Sequence, residues 1–398
     1  MRRYVAILMS CVALVACAVP QSFAMDATQS GSNIQVIQDT QNIQAAWMAT
    51  VFGIDFPKTQ NDPEAQKKEF TEKMDKLQAL GINTIVVQVR PTGDALYQSI
   101  YNPWSSVLTG TQGKYPGYDP LAYMVEAAHR RGMALHAWLN PYRVTTKGTD
   151  ISALSENHPA RLNPDLVISY NEALYYNPEK ESVKNLITNT VCEIISKYDV
   201  DGIVFDDYFY PSNYPLPEGE SRDGAVANAR RAHVNDLIKR VHTTIETTRP
   251  DVLFGISPMG IWKNASSDPT GSATAGNEAY YSVCSDARTW IKNEWIDYIS
   301  PQIYWSIGTA AADYETLVKW WSNEVAGTSV KLWISQGIYR ESVASQIDQQ
   351  LAINRKYAEV TGSMYYNVSY LLSDIGACQS KIAEFNGVPK SVTVTAPQ

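Results

Sequence analysis

The chain has 398 residues, 44% of them hydrophobic and 19% charged, with a formal net charge of −8. That is long and apolar enough for a sizeable core in one or two domains, and its acidic balance disfavours nucleic acid and anionic membrane as partners. Among its five cysteines, Cys192, Cys284 and Cys378 lie far apart beyond the N-terminal region; that spacing is neither a disulfide framework nor a metal knuckle, so they read as small buried hydrophobes, with one disulfide among them as the alternative.

Met1-Arg2-Arg3, an apolar stretch from Tyr4 to Val19, and Pro20-Gln21-Ser22-Phe23-Ala24 follow the charged, apolar and small-residue order of a secretory signal. Residues 1–24 are therefore set apart from the fold, and export to the periplasm, cell envelope or medium is expected. Leu14-Val15-Ala16-Cys17 resembles a lipobox, which would make Cys17 a lipid anchor; cleavage after Ala24 would discard it, and Pro20 with Ser22-x-Ala24 favours that outcome. The apolar stretch is shorter than the roughly 20 residues of a spanning helix, and no later segment qualifies.

Residues 25–44 are rich in Gln, Ser, Asn and Thr and read as a flexible leader. From there strand-like and helix-like runs alternate. The expected strands are 46–53, 84–90, 134–140, 202–206, 253–257, 298–304, 332–337 and 363–369. Helical spacing is expected over 63–80, 120–131, 179–197, 224–247 and 342–358, as in Phe70, Met74, Leu77 and Leu80. Asp119-Pro120 reads as a helix start, and Gly81 and Gly132 as stops. Eight strand-helix units predict one α/β domain over 45–385, a (β/α)8 TIM barrel. An open doubly wound sheet is the alternative, but no Gly-rich phosphate loop follows the first strand. Residues 386–398 read as a tail.

In such a barrel the site is built at the C-terminal ends of the strands. Those ends supply Asp55; Arg90 and Asp94; Asn140, Tyr142 and Arg143; Asp206, Asp207 and Tyr208; Ser257; Gln302, Tyr304 and Trp305; Gln336; and Asn367. Amide, carboxylate and guanidinium groups beside flat rings suit a sugar, whose hydroxyls need paired donors and acceptors and whose C–H faces stack on aromatics. Glycoside cleavage commonly uses two carboxyls, one protonated and one ionised. The fourth strand, Gly202-Ile203-Val204-Phe205, runs into Asp206-Asp207-Tyr208 and makes these aspartates the catalytic candidates. Strand alternation puts Asp206 on the face of Gly202 and Val204, and Asp207 on that of Ile203 and Phe205, with strand-end twist able to turn both inward. Asp55, Asp94 and Asp313 are candidate partner carboxylates. Arg90 either meets a substrate carboxylate or pairs with Asp94, and His136 reads as a core histidine rather than a pocket residue. No metal or cofactor motif is present, nor a His-Glu-x-x-His or Gly-x-Ser-x-Gly sequence.

Trp47-Met48-Ala49-Thr50-Val51, Gln88-Val89-Arg90-Pro91-Thr92-Gly93-Asp94-Ala95, Pro103-Trp104-Ser105, Trp138-Leu139-Asn140-Pro141-Tyr142-Arg143, Asp201 to Tyr208 and Ile299-Ser300-Pro301-Gln302-Ile303-Tyr304-Trp305 together resemble the glycosyl-hydrolase-like 10 family of bacterial envelope proteins. The resemblance implies a TIM barrel acting on glycans, with a characterised branch that cleaves peptidoglycan strands lacking stem peptides. It implies Asp206 and Asp207 at the catalytic position, with Arg90, Asn140, Tyr142, Gln302 and Tyr304 along the substrate groove. The fourth strand is also similar to the Asp-x-x-Asp-x-Asp-x-Glu signature of family 18 chitinases, in which the substrate acetamide is the nucleophile. Asp201 and Asp206 fit that signature, while Val204 and Tyr208 depart from it. The expected function is a secreted glycosidase for N-acetylated cell-wall glycan; a non-catalytic glycan-binding barrel and a glycosidase for an exogenous polysaccharide are the alternatives.

Overall fold

A computed structural model of the chain describes residues 42–389. The expected signal, the anchor candidate Cys17, most of the leader and the end of the tail lie outside them. Ten strands run in chain order: β1 (Ile43–Met48), β2 (Thr84–Arg90), β3 (Ala134–Leu139), β4 (Val167–Tyr170), β5 (Ala173–Tyr176), β6 (Gly202–Phe205), β7 (Leu253–Ile256), β8 (Tyr298–Ile299), β9 (Lys331–Gln336) and β10 (Val360–Tyr366). Eight of them close into a parallel barrel in the order β1-β10-β9-β8-β7-β6-β3-β2, while β4 and β5 pair antiparallel as a separate hairpin. The sequence expectation of a (β/α)8 barrel holds. Among the described residues no helix is long and apolar enough to cross a membrane.

Helix boundaries follow the capping chemistry. Asp62 accepts from Ala65 N ahead of helix Pro63–Ala79, and Asp119 accepts from Ala122 N ahead of helix Pro120–His129, each with Pro opening the first turn. Gly81 and Gly132 follow these helices with φ of 75° and 65°, the left-handed region that glycine enters without steric cost.

Several boundaries move for identifiable reasons. The first strand begins at Ile43, which pairs with Gly362, so Ile43 and Gln44 belong to the barrel and not to a leader. It ends at Met48 because Thr50 N and Val51 N turn to the Gln88 side chain, and Val51–Gly53 forms a 3-10 turn. The sixth barrel strand, β8, stops at Ile299; Pro301 has no N–H for the ladder, and beyond it Gln302 makes only isolated bridges. The last strand ends at Tyr366, since Asn367 caps helix Val368–Leu372. The expected helix 342–358 is broken into Glu341–Ala344 and Ile347–Asn354. The β4–β5 hairpin was not expected; its strands have four residues each, too short to show a clear alternation. At the other end, Asn386 Nδ2 donates to Leu80 O at 2.8 Å, so the start of the expected tail docks on the first helix.

Alternation divides the core in two. Ile43, Ala45 and Trp47 point into the barrel with Val86, Trp138, Val204, Tyr298, Trp333 and Met364, while the intervening residues meet the helices. Tyr298 stacks on Trp333 at 3.9 Å between ring centroids, and its hydroxyl lies 2.8 Å from His136 Nδ1. Burial pushes the His136 pKa down to about 4, so this is a neutral core histidine. Cys284 and Cys378 are buried and free, and Cys192 is also buried.

The Tyr298 ring lies over Gly255, where a Cβ would come within 2.0 Å of it. Gly255→Ala is therefore expected to destabilise the barrel by about 1–3 kcal/mol or more, read as a lower urea midpoint with an unchanged m-value.

Candidate active site

Asp206 follows the last residue of β6 and keeps the inward direction of Gly202 and Val204. Only 3% of it is exposed. Its Oδ2 accepts from Trp138 Nε1 at 3.0 Å and Asn140 Nδ2 at 3.1 Å, and its Oδ1 accepts from Tyr208 N at 3.2 Å. Asp207 lies past the strand end, where alternation no longer governs direction, and turns to the same cavity. Its Oδ1 accepts from Gln302 Nε2 at 2.9 Å, and Gln302 is held in turn by donating to Ser257 O at 3.1 Å.

The two carboxyls open on a cavity of about 250 Å³ lined also by Trp47, Trp138, Tyr208, Ser257, Gln302, Tyr304, Tyr339 and Tyr366. Trp47 and Trp138 meet edge to face at 5.1 Å, and Trp47 Nε1 is fixed on Ser335 Oγ at 3.2 Å. Tyr304 and Tyr366 lie nearly parallel at 5.7 Å, with Tyr339 edge-on to both. Arg143 stands 5.1 Å over the Tyr208 ring, with Nε donating to Pro91 O at 3.0 Å. Asn140 Oδ1 accepts from Arg143 N, which ties the loop after β3 to the acid pair.

Burial, then the charge of neighbouring Asp207, pushes the Asp206 pKa up to about 7; Arg143, Trp138 and the Tyr208 amide pull the other way. Burial also raises Asp207, against Gln302 and Arg143. Adjacent buried carboxyls titrate together, and the pair retains one proton near neutral pH. Tyr208 is raised to about 12, chiefly by the charge of Asp207, and is a neutral phenol.

The remaining sequence candidates divide sharply. Asn140, Tyr208, Gln302 and Tyr304 line the cavity or bond to its acids, and Arg143 lies beside it over the Tyr208 ring. Arg90 is wholly buried; it donates to Asn102 Oδ1 and to the carbonyls of Asn140 and Pro141, so it braces the loop after β3, away from solvent and without an ion pair to Asp94. Asp94 accepts from Thr92 N and Gln112 Nε2 within its own loop region. Asp55 clamps Ala49 N and Ser369 N, joining the loops after the first and last strands. Tyr142 is buried among the helix-facing core residues, and Gln336 is buried between Tyr314 and Ser363. Trp305 packs against the core, with its carbonyl accepting from Gln350. Asp313 caps helix Tyr314–Val325. Trp47, Trp138, Tyr339 and Tyr366 line the cavity without having been singled out; inward alternation from Ile43 and His136 identifies the two tryptophans once the register is known.

Residues 42–353 match the family described as Glycosyl hydrolase-like 10. The chain belongs to it. It is 42% identical over 354 residues to the glycosyl hydrolase YngK of Bacillus subtilis, covering 84% of this chain and 69% of that one. It is 36% identical over 389 residues to the glycosyl hydrolase DigH of Escherichia coli, covering 88% and 89%. Among solved structures, the glycoside hydrolase domain of PgaB (BpsB) from Bordetella bronchiseptica shares the fold at a TM-score of 0.55 and 11% identity, covering 86% of this chain and 98% of that one. The family membership assigns this chain to the glycoside hydrolases.

A carboxyl whose folded pKa is raised gives stability that is complete below its unfolded pKa of about 4 and is lost as pH rises through its folded value. For Asp206 that window runs from about 4 to about 7. Asp206→Asn removes this dependence, so the stability of the variant relative to the wild type should rise by a few kcal/mol between pH 5 and 8 in denaturant titrations. A relative stability that does not change over that range would mean that Asp206 is not raised.

Proposed function

We propose that this glycoside hydrolase cleaves N-acetylated cell-wall glycan, namely peptidoglycan strands lacking stem peptides, and that residues 1–24 export it to the envelope where that polymer lies. The observation that carries the chemistry is that Asp206 and Asp207, neighbours in the chain, are the acids lining the cavity among the described residues. Glycosidases with two independent carboxyls place them on opposite sides of the scissile bond, about 5–9.5 Å apart. Asp55, Asp94 and Asp313, the candidates for such an opposed partner, are committed to structural hydrogen bonds elsewhere. An adjacent pair suits a reaction in which the substrate's own acetamide is the nucleophile.

In that reading the pair's proton, held by Asp206 in the free enzyme, passes to Asp207 when the substrate's acetamide N–H meets Asp206, and Asp207, half-buried and less encased, gives it to the glycosidic oxygen. Asp206, then ionised and held by three N–H groups, accepts the acetamide N–H and directs the acetamide carbonyl oxygen at the anomeric carbon. The leaving sugar departs as an alcohol and a cyclic oxazolinium remains. Water adds to its anomeric carbon while Asp207 takes back a proton, which restores both enzyme and acetamide. Gln302 holds Asp207 in place, and the aromatic walls shield the pair from bulk water. The substrate class rests on the family resemblance, and the paired aromatics and amides give it a fitting surface.

The test is product analysis by mass spectrometry after incubation with peptide-free glycan strands and with intact peptide-bearing sacculi. Muro-oligosaccharides should come from the peptide-free strands alone, and Asp206→Asn and Asp207→Asn should each lower kcat by about 10²–10⁴-fold. Binding without product would indicate a glycan-binding barrel, and products from other polysaccharides alone would indicate a different substrate.

The pair's proton also sets a pH profile. The rate constant kcat/KM should fall as pH rises through the region of about 7 and lose that limb in Asp207→Asn. A wild-type rate that stays flat to pH 9 would contradict a carboxyl acid.

A further inference from the structure

A second and larger cavity, about 790 Å³, lies among the loops that follow β1, β2 and β3. Its lining includes Phe52, Lys58, Gln60, Thr92, Ser106 and Thr146. It adjoins the catalytic cavity through shared elements. β1 carries Trp47 to one and the turn after it places Val51–Gly53 at the other, and Arg143 spans from the Tyr208 ring at the acids to the carbonyl of Pro91, which lines the groove.

Phe52 is 76% exposed and sits at φ 56°, ψ 12°, the left-handed region that a bulky residue seldom enters. Exposure forfeits the burial of a ring and the backbone conformation costs of order 1–3 kcal/mol, so nothing in its own packing explains this placement. The surrounding loop is nonetheless held on several sides. Lys58 Nζ donates to Gly53 O and Ile54 O, Gly53 N donates to Thr50 O, Gln88 holds Thr50 N and Val51 N, and Asp55 clamps Ala49 N to Ser369 N. A strained, exposed ring on a braced loop is pre-organised for a ligand, and the polar lining around it matches a sugar's hydroxyls while the ring matches its C–H face.

We infer that this groove is a distal glycan subsite, in which Phe52 is the stacking platform for sugar units of the same chain whose scissile bond lies at Asp206 and Asp207. This rests on the glycan-cleaving reading above. The 250 Å³ catalytic cavity falls below the roughly 300–1,000 Å³ that encloses a drug-sized ligand, whereas the groove has room for several more rings. The enzyme therefore favours long chains over short oligosaccharides.

The experiment compares kcat/KM on long peptide-free glycan strands and on a tetrasaccharide of the same repeat for the wild type, Phe52→Ala, Phe52→Gly and Phe52→Trp. The wild type should prefer the long strands, and the long-to-short ratio should fall about tenfold in Phe52→Ala and Phe52→Gly and be kept in Phe52→Trp. Glycine enters the left-handed region without penalty, so Phe52→Gly tests the ring with the loop conformation intact. An unchanged ratio, or an equal loss on both lengths, overturns the subsite. Calorimetric binding of the same glycans separates this inference from the catalytic one. If the wild type cleaves neither glycan, weaker long-strand binding in Phe52→Ala still supports the subsite, and equal binding refutes it.

Discussion

The burial of two adjacent carboxyls at the mouth of a closed parallel barrel is the constraint around which the rest of the site is arranged. β6 lies between β3 and β7 and delivers Asp206 inward to a cavity lined by aromatic rings, where an isolated negative charge is costly. Three N–H donors offset part of that cost and fix the carboxylate plane. Asp207 immediately after it adds repulsion, and a shared proton relieves it. The loops then serve the pair. Arg90 fixes the loop after β3 that carries Asn140, and Ser257 O positions Gln302, so residues that never meet the cavity set the geometry of those that do.

The architecture was legible because parallel barrel strands are continuous apolar runs that end in polar residues. β2 ends where its pattern does, at Arg90, and β3, β6 and β7 each stop one residue short of the expectation. Failures fall where side chains rather than apolar patterning decide the ending. Gln88 captures Thr50 N and Val51 N from the neighbouring strand, Pro301 lacks a donor, and Asn367 caps the helix that follows it.

For the site, residues placed by strand alternation were legible and residues placed by tertiary contacts were not. Asp206 points as its offset from Gly202 and Val204 requires, and Gln302 reaches the cavity from a strand end. Arg90, Asp94, Tyr142 and Gln336 share that strand-end address and have the chemistry for binding sugars, yet bond inward to loops or helices. Position at a barrel mouth offers two destinations, the pocket and the loop scaffold, and composition does not choose between them. The tryptophans at 47 and 138 went unsingled because inward-facing aromatics also fill ordinary barrels.

Asp206 and Asp207 together hold a proton near neutral pH, and carboxyl carbon NMR on protein labelled at aspartate, titrated from pH 3 to 9 with Asp206→Asn and Asp207→Asn to assign the resonances, measures it directly. Coupled titration of the two carboxyls is expected, with one apparent step near 7. Independent titration of both near the ordinary aspartate value of about 4 would contradict it.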